Sequence, residues 1–162
     1  MTTIYRLKIS LIQPHYPATK LHRVLEISGN ASFYNLHERI FEAFDRWNEH
    51  AFQFFISRSK MESFHKLFQD CKEIVMIDAF MDDHNPLSNQ DMLLHPASTT
   101  TLDELNLNEK DYLYYWFDFG DDWLHRIRIE KIFEIEEVPN AGEYFAMVTN
   151  YVGKSPEQYP MD

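Results

Sequence analysis

Six side chains able to bind a metal ion or move a proton set the chemistry open to this sequence: His37, His50, Asp118, Asp121, Asp122 and His125. Four of them crowd into one run, Phe117-Asp-Phe-Gly-Asp-Asp-Trp-Leu-His125, at the end of the aromatic stretch that begins at Tyr112. Carboxylates and imidazoles suit Mg²⁺, Mn²⁺ or Zn²⁺, and a bound cation could activate water for hydrolysis. On that reading His50, Asp118 and His125 are the candidate metal ligands. Asp118, Asp121, Asp122, Trp123 and His125 are the candidate ligand-binding set. No spacing among them matches a known ligand motif such as His-Glu-x-x-His. Ordinary structural roles compete at every position. Asp121 and Asp122 are common turn residues whose carboxylates bond local amides. His125 and His37 fit neutral core histidines, and His50 fits a helix C-terminus.

The register of one hairpin decides between these readings. Gly120-Asp121-Asp122 is a turn signal between two strand-like runs. On the return strand Trp123, His125, Ile127 and Ile129 share one face, and Leu124, Arg126, Arg128 and Glu130 share the other. The outgoing strand is apolar on both faces. An even loop puts Asp118 beside Trp123 and His125. A three-residue loop puts Phe117 and Phe119 there instead and turns Asp118 away. Tyr112, Tyr114 and Trp116 form a row that faces Arg126 and Arg128 in one register, able to stack on a ligand or to pack under a helix.

The elements that must position these residues follow from periodicity. Residues 4 to 11 place Tyr5, Leu7, Ile9 and Leu11 on one face of a strand that Pro14 and Pro17 end. A second strand runs over Leu21 to Ile27. Ser32 caps a helix predicted from Phe33 to Trp47, with Phe33, Leu36, Ile40, Phe44 and Trp47 on its apolar stripe. Glu38, Arg39, Glu42, Asp45 and Arg46 fall on the opposite, polar side. Strands over Ala51 to Ile56 and Ile74 to Ile77 bracket a short helix near Met61 to Phe68. Residues 82 to 101 read as an irregular loop, Thr101 to Leu105 as one helical turn, and the tail from about residue 138 as loop.

Composition narrows the function. The chain has 162 residues, 44% of them hydrophobic, which suits one packed domain. Acidic residues number 26 against 15 basic, a net charge of -11, and this disfavours nucleic-acid binding, which draws its affinity from cations on phosphates. The single Cys71 has no disulfide partner and no neighbouring base for nucleophilic work. The isolated glycines form no phosphate loop. No window reaches the roughly 20 apolar residues of a membrane span, and the N-terminal run alternates as a strand does rather than as a signal peptide. A cytoplasmic location is the expectation.

The same residues carry a family resemblance. Phe117-Asp-Phe-Gly-Asp-Asp-Trp-Leu-His125, with Ile127 and Glu130, resembles the signature of the plasmid pRiA-type ORF-three-like family. Leu36-His37, Trp47, His50, Phe52 and Phe54 resemble its helix-to-strand segment. Thr101-Leu-Asp-Glu-Leu105 resembles the lead into the signature strand, and Gly153 to Pro160 its Pro-rich tail. Leu21-His-Arg-Val24 departs from the usual Trp-Arg-Arg pattern, and the tail lacks the cysteines of some relatives. The resemblance implies an uncharacterised α+β protein, some of whose relatives travel with plasmids and insertion sequences. The expectation is therefore a single domain over residues 1–162, a mostly antiparallel sheet against one main helix plus one or two short ones. Its expected function is a binding or interaction module with an aromatic-lined pocket beside the Gly-Asp-Asp turn, taking a small molecule or protein segment. A metal-dependent hydrolase and an accessory protein of a mobile element are the alternatives.

Overall fold

The computed structural model describes residues 1–13, 21–81, 91–137 and 143–159. Alternation of apolar and polar residues makes strands of β1 (Thr2–Gln13), β2 (His22–Ser28) and β7 (Trp123–Ile135), and a continuous apolar, aromatic run makes β6 (Tyr112–Phe117). These join β3 (Phe52–Phe55), β4 (Glu73–Met76), β5 (Leu93–Pro96) and β8 (Ala146–Val152) in one eight-stranded sheet of order β5-β4-β3-β6-β7-β1-β2-β8. Every neighbouring pair is antiparallel except β4 with β5, which is parallel. Among the described residues no helix is long and apolar enough to cross a membrane.

Among the described residues three short α-helices, α1 (Phe33–Ala43), α2 (Phe64–Asp70) and α3 (Asp78–Met81), and one 3-10 turn over Leu102–Leu105 accompany the sheet. The expected α+β fold built on one main helix is overturned. A mixed sheet dominates, and α1 runs for only 11 residues. Ser32 caps α1 as the sequence suggests: the Asn35 amide donates to Ser32 Oγ, and the Ser32 amide donates to Asn35 Oδ1, both at 3.0 Å. The early stop comes from Asp45, whose φ of 56° is left-handed and reverses the chain. Trp47 therefore leaves the apolar stripe and is 68% exposed. Two strands also lie where loop was expected, β5 between residues 82 and 101 and β8 in the tail. Residues 14–20 with Pro14 and Pro17, 82–90 with Pro86, 138–142 with Gly142, and 160–162 with Pro160 fall outside the described residues.

The sheet is covered on both faces. Tyr5, Leu7, Ile9 and Leu11 of β1 join Phe52, Phe54, Tyr115, Phe117, Ile127 and Ile129 under α1. Phe55, Tyr114 and Leu124 join Leu67 of α2 on the other face, with Trp116 packed against them. Side chains such as Leu7, Ile9 and Phe54 are fully buried, worth roughly 1.5–3 kcal/mol each relative to exposure. Burial on both faces explains why β6 is apolar throughout and why its register was illegible from periodicity.

Candidate functional site

The β6–β7 hairpin pairs Phe117 with Trp123 and Tyr115 with His125. Its loop thus holds the odd run 118–122, neither the even loop nor the three-residue loop weighed from the sequence. Phe117 shares the α1 face with Trp123, and Phe119 stacks on Trp116 on the far side at 3.9 Å. Asp118 belongs to the loop, at a φ of 61°. Its amide donates to the Ala51 carbonyl, its carbonyl accepts from the Asp121 and Asp122 amides, and its Oδ1 accepts from Gly120. Asp118 is thereby the organiser of the turn. Asp121 is exposed, and Asp122 Oδ1 accepts the Trp116 indole N–H at 2.8 Å.

Asp118 and His125 do not form a pair. His125 is fully buried and meets Arg46, whose Nη2 lies 2.9 Å from His125 Nε2. A guanidinium only donates, so His125 Nε2 accepts and its Nδ1–H donates to the Tyr115 carbonyl at 3.1 Å. Burial, reinforced by Arg46, holds the imidazole well below its ordinary pKa, so it is neutral. A nitrogen that accepts from a cation is unavailable to a metal ion. Among the described residues no three His, Cys, Asp or Glu side chains converge as a metal-binding group.

Two further polar pairs extend from this centre. The Tyr115 hydroxyl lies 2.6 Å from His37 Nδ1, and His37 Nε2 lies 3.1 Å from the Glu49 carboxylate. The carboxylate must accept, so the tyrosine donates. Burial is also the main reason that the His37 pKa is lowered, with Glu49 opposing. His37 stacks on Phe52 at 3.9 Å. At the surface, His50 Nε2 lies 3.4 Å from Asp118 Oδ2 and contacts the Tyr159 hydroxyl. The sequence-predicted ligands thus separate: His50 joins Asp118, while His125 and Trp123 join Arg46.

Arg46 is the residue that sequence reasoning missed, because helical periodicity placed it on the solvent side. The reversal at Asp45 turns it inward. Its guanidinium lies over the rings of Trp123 at 4.8 Å, Phe117 at 5.3 Å and Phe44 at 5.4 Å. Burial pulls its pKa down to about 10, so it remains charged at neutral pH, with Tyr115 and Asp118 favouring that charge. Three buried donors here have no acceptor among the described residues: Arg46 Nε, Arg46 Nη1 and Trp123 Nε1.

The tail closes over the same loop. Gln158 Oε1 accepts from the Trp47 and Asn48 amides at 3.0 Å, and its Nε2 donates to the Asn48 carbonyl at 2.6 Å. Ser155 Oγ donates to the Phe44 carbonyl at 2.7 Å. Gln158→Ala is expected to free residues 155–159. Amide exchange at Trp47 and Asn48 should accelerate by about tenfold or more, in line with the loss of a buried hydrogen-bonded group. Unchanged exchange there would mean that the tail does not hold the loop.

The arrangement of turn, histidine and tail accounts for the motifs that carried the family resemblance, and the sequence comparison decides the matter. A family model described as plasmid pRiA4b ORF-3-like protein matches residues 3–156. The chain belongs to the plasmid pRiA4b ORF-3-like family. Comparison of this ORF-3-like chain with curated proteins gives no match. Its fold is similar to that of a solved structure titled protein of unknown function MM3350 from Methanosarcina mazei Go1, with a TM-score of 0.66 and 19% identity. The match covers 98% of this chain and 74% of that one. At that identity the likeness speaks for the fold alone. Within the ORF-3-like chain, the signature run is the hairpin loop and the strand start that hold Arg46 in place.

Proposed function

We propose that this ORF-3-like protein is a binding module whose ligand is a small molecule bearing an anionic group, held by Arg46 and Trp123 beside the 118–122 turn. The observation that supports the reading is a cluster of buried donors without an acceptor among the described residues. A buried N–H without an acceptor costs about 1–3 kcal/mol and is rare in native proteins. Arg46 Nε, Arg46 Nη1 and Trp123 Nε1 concentrate three in one place, on a charged group walled by Phe44, Phe117 and Trp123. An acceptor with negative charge would satisfy them and gain from the aromatic surroundings, where screening by water is weak. His125 would act as the fixed acceptor that orients the guanidinium, and Asp118 as the carboxylate that sets the turn.

Thermal unfolding at constant ionic strength tests this with acetate, citrate and inorganic phosphate against chloride. At a concentration of 100 times Kd a bound anion stabilises by about 2.7 kcal/mol, so at least one probe should raise the melting temperature by several degrees. Arg46→Met should abolish that shift while remaining folded. Equal shifts in the Met variant, or no shift with any probe, would sink the reading.

A further inference from the structure

The other end of the sheet carries a different feature. β8 closes the order beyond β2, so that one of its backbone edges has no partner strand among the described residues. An edge of this kind is a template for an added strand unless it is blunted. Ala146-Met-Val-Thr-Asn-Tyr-Val152 carries no charge and no proline, and its one irregularity is a bulge at Thr149 that leaves Ala146 to Val148 regularly paired. The edge is also held firmly. β8 pairs with β2 from His22↔Val152 to Ile27↔Ala146, and Phe145 exchanges hydrogen bonds with Ser28 beyond that. At the far end Arg23 Nη1 donates to the Val152 and Gly153 carbonyls at 3.1 and 3.0 Å. Preorganisation lowers the ordering cost of adding a strand.

Beside this edge runs a trough between β8 and α1. One part, about 540 Å³, is lined by Asn35, Arg39, Glu143, Tyr144 and Ala146. A second part of about 140 Å³ shares Arg39 and Ala146 and reaches Leu25, Val148 and Tyr151. The exposed Met147 and Tyr151 add apolar surface along the strand. The charge of the trough is biased. Arg39 is tied to Glu42 at 3.2 Å and lies over Tyr144. Glu143 is exposed, so Glu42 and Glu143 outnumber Arg39 among the lining residues. Acids therefore exceed cations here, on a chain of net charge -11.

We propose that β8 and this trough accept an extended basic segment of a partner protein as a ninth strand. The backbone edge demands a strand rather than a helix, and alternate side chains of that strand meet the trough. Apolar ones would pack on Ala146 and Val148, and Lys or Arg would face Glu143 and Glu42. This site is separate from Arg46, so it stands or falls independently of the anion site.

Titration of the full chain with a capped peptide of alternating lysine and valine tests the proposal. Amide NMR shifts should centre on residues 146–152. A glutamate–valine peptide, a lysine–valine peptide with alternate N-methylated amides, and the Glu143→Lys variant should each weaken binding by about tenfold or more. Glu143 is exposed, so that variant keeps its fold. The proposal is overturned by undiminished affinity of the N-methylated peptide, by shifts located elsewhere, by no binding at all, or by sedimentation showing that the edge is taken by a second copy of the chain.

Discussion

His125→Ala should lower the free energy of unfolding by about 3–5 kcal/mol, the largest single effect expected in the molecule. Three losses add up. The imidazole is fully buried, so truncation leaves a void against Phe44 and Tyr115, whose rings lie 5.0 Å from it. The Tyr115 carbonyl loses its donor. Arg46 loses its one side-chain acceptor among the described residues and becomes a buried cation with a further unpaired donor. Urea unfolding with an unchanged m-value measures the effect. His125→Gln should cost less, about 1–2 kcal/mol, since its amide oxygen can accept from Arg46 and its NH₂ can donate. Arg46→Met should cost less than His125→Ala, about 1–2 kcal/mol, because it relieves a buried cation but leaves His125 Nε2 without its donor. A loss below about 1 kcal/mol for His125→Ala would remove the imidazole from its structural role.

That contrast bears on how much of the protein its sequence disclosed. The inward face of Trp123, His125, Ile127 and Ile129 was legible because β7 alternates cleanly. Opposite it, β6 is buried on both faces by α1 and α2, so its pattern carried no register, and the 118–122 loop had to be seen. The start of α1 was readable from Ser32, a local capping signal. Its end was not, since Asp45 adopts a left-handed conformation that nothing in a helical repeat announces. The same reversal hid Arg46. Gln158 and Tyr159 were equally invisible, because their partners at residues 47–50 lie far away in sequence. Edge strands β5 and β8 escaped notice for a related reason: neither is buried enough to show a two-residue period. The partners of the chemistry-bearing residues depend on contacts made across the sheet, which no local period encodes.

The two core histidines also set the response to acid. His37 and His125 are fully buried and neutral, and burial is the first cause of the lowered pKa at each. Arg46 lowers both further, whereas Glu49 and Glu38 partly offset the shift at His37. The unfolded chain holds both near the ordinary histidine pKa of about 6.5. Below that pH the unfolded state binds protons that the native state refuses, so unfolding becomes easier. The stability from keeping these rings neutral is complete above about pH 6.5 and is lost as pH falls toward the folded-state values. Once the unfolded rings are charged, each contributes a slope of about 1.4 kcal/mol per pH unit, or about 2.7 for the pair. Chemical denaturation between pH 7.5 and 5 should therefore show a loss steeper than one histidine can produce, with His125→Gln removing the larger part of it and His37→Gln the smaller. A stability flat over that range would mean that the rings protonate in the folded protein, and with it the neutral acceptor that holds Arg46 would be gone.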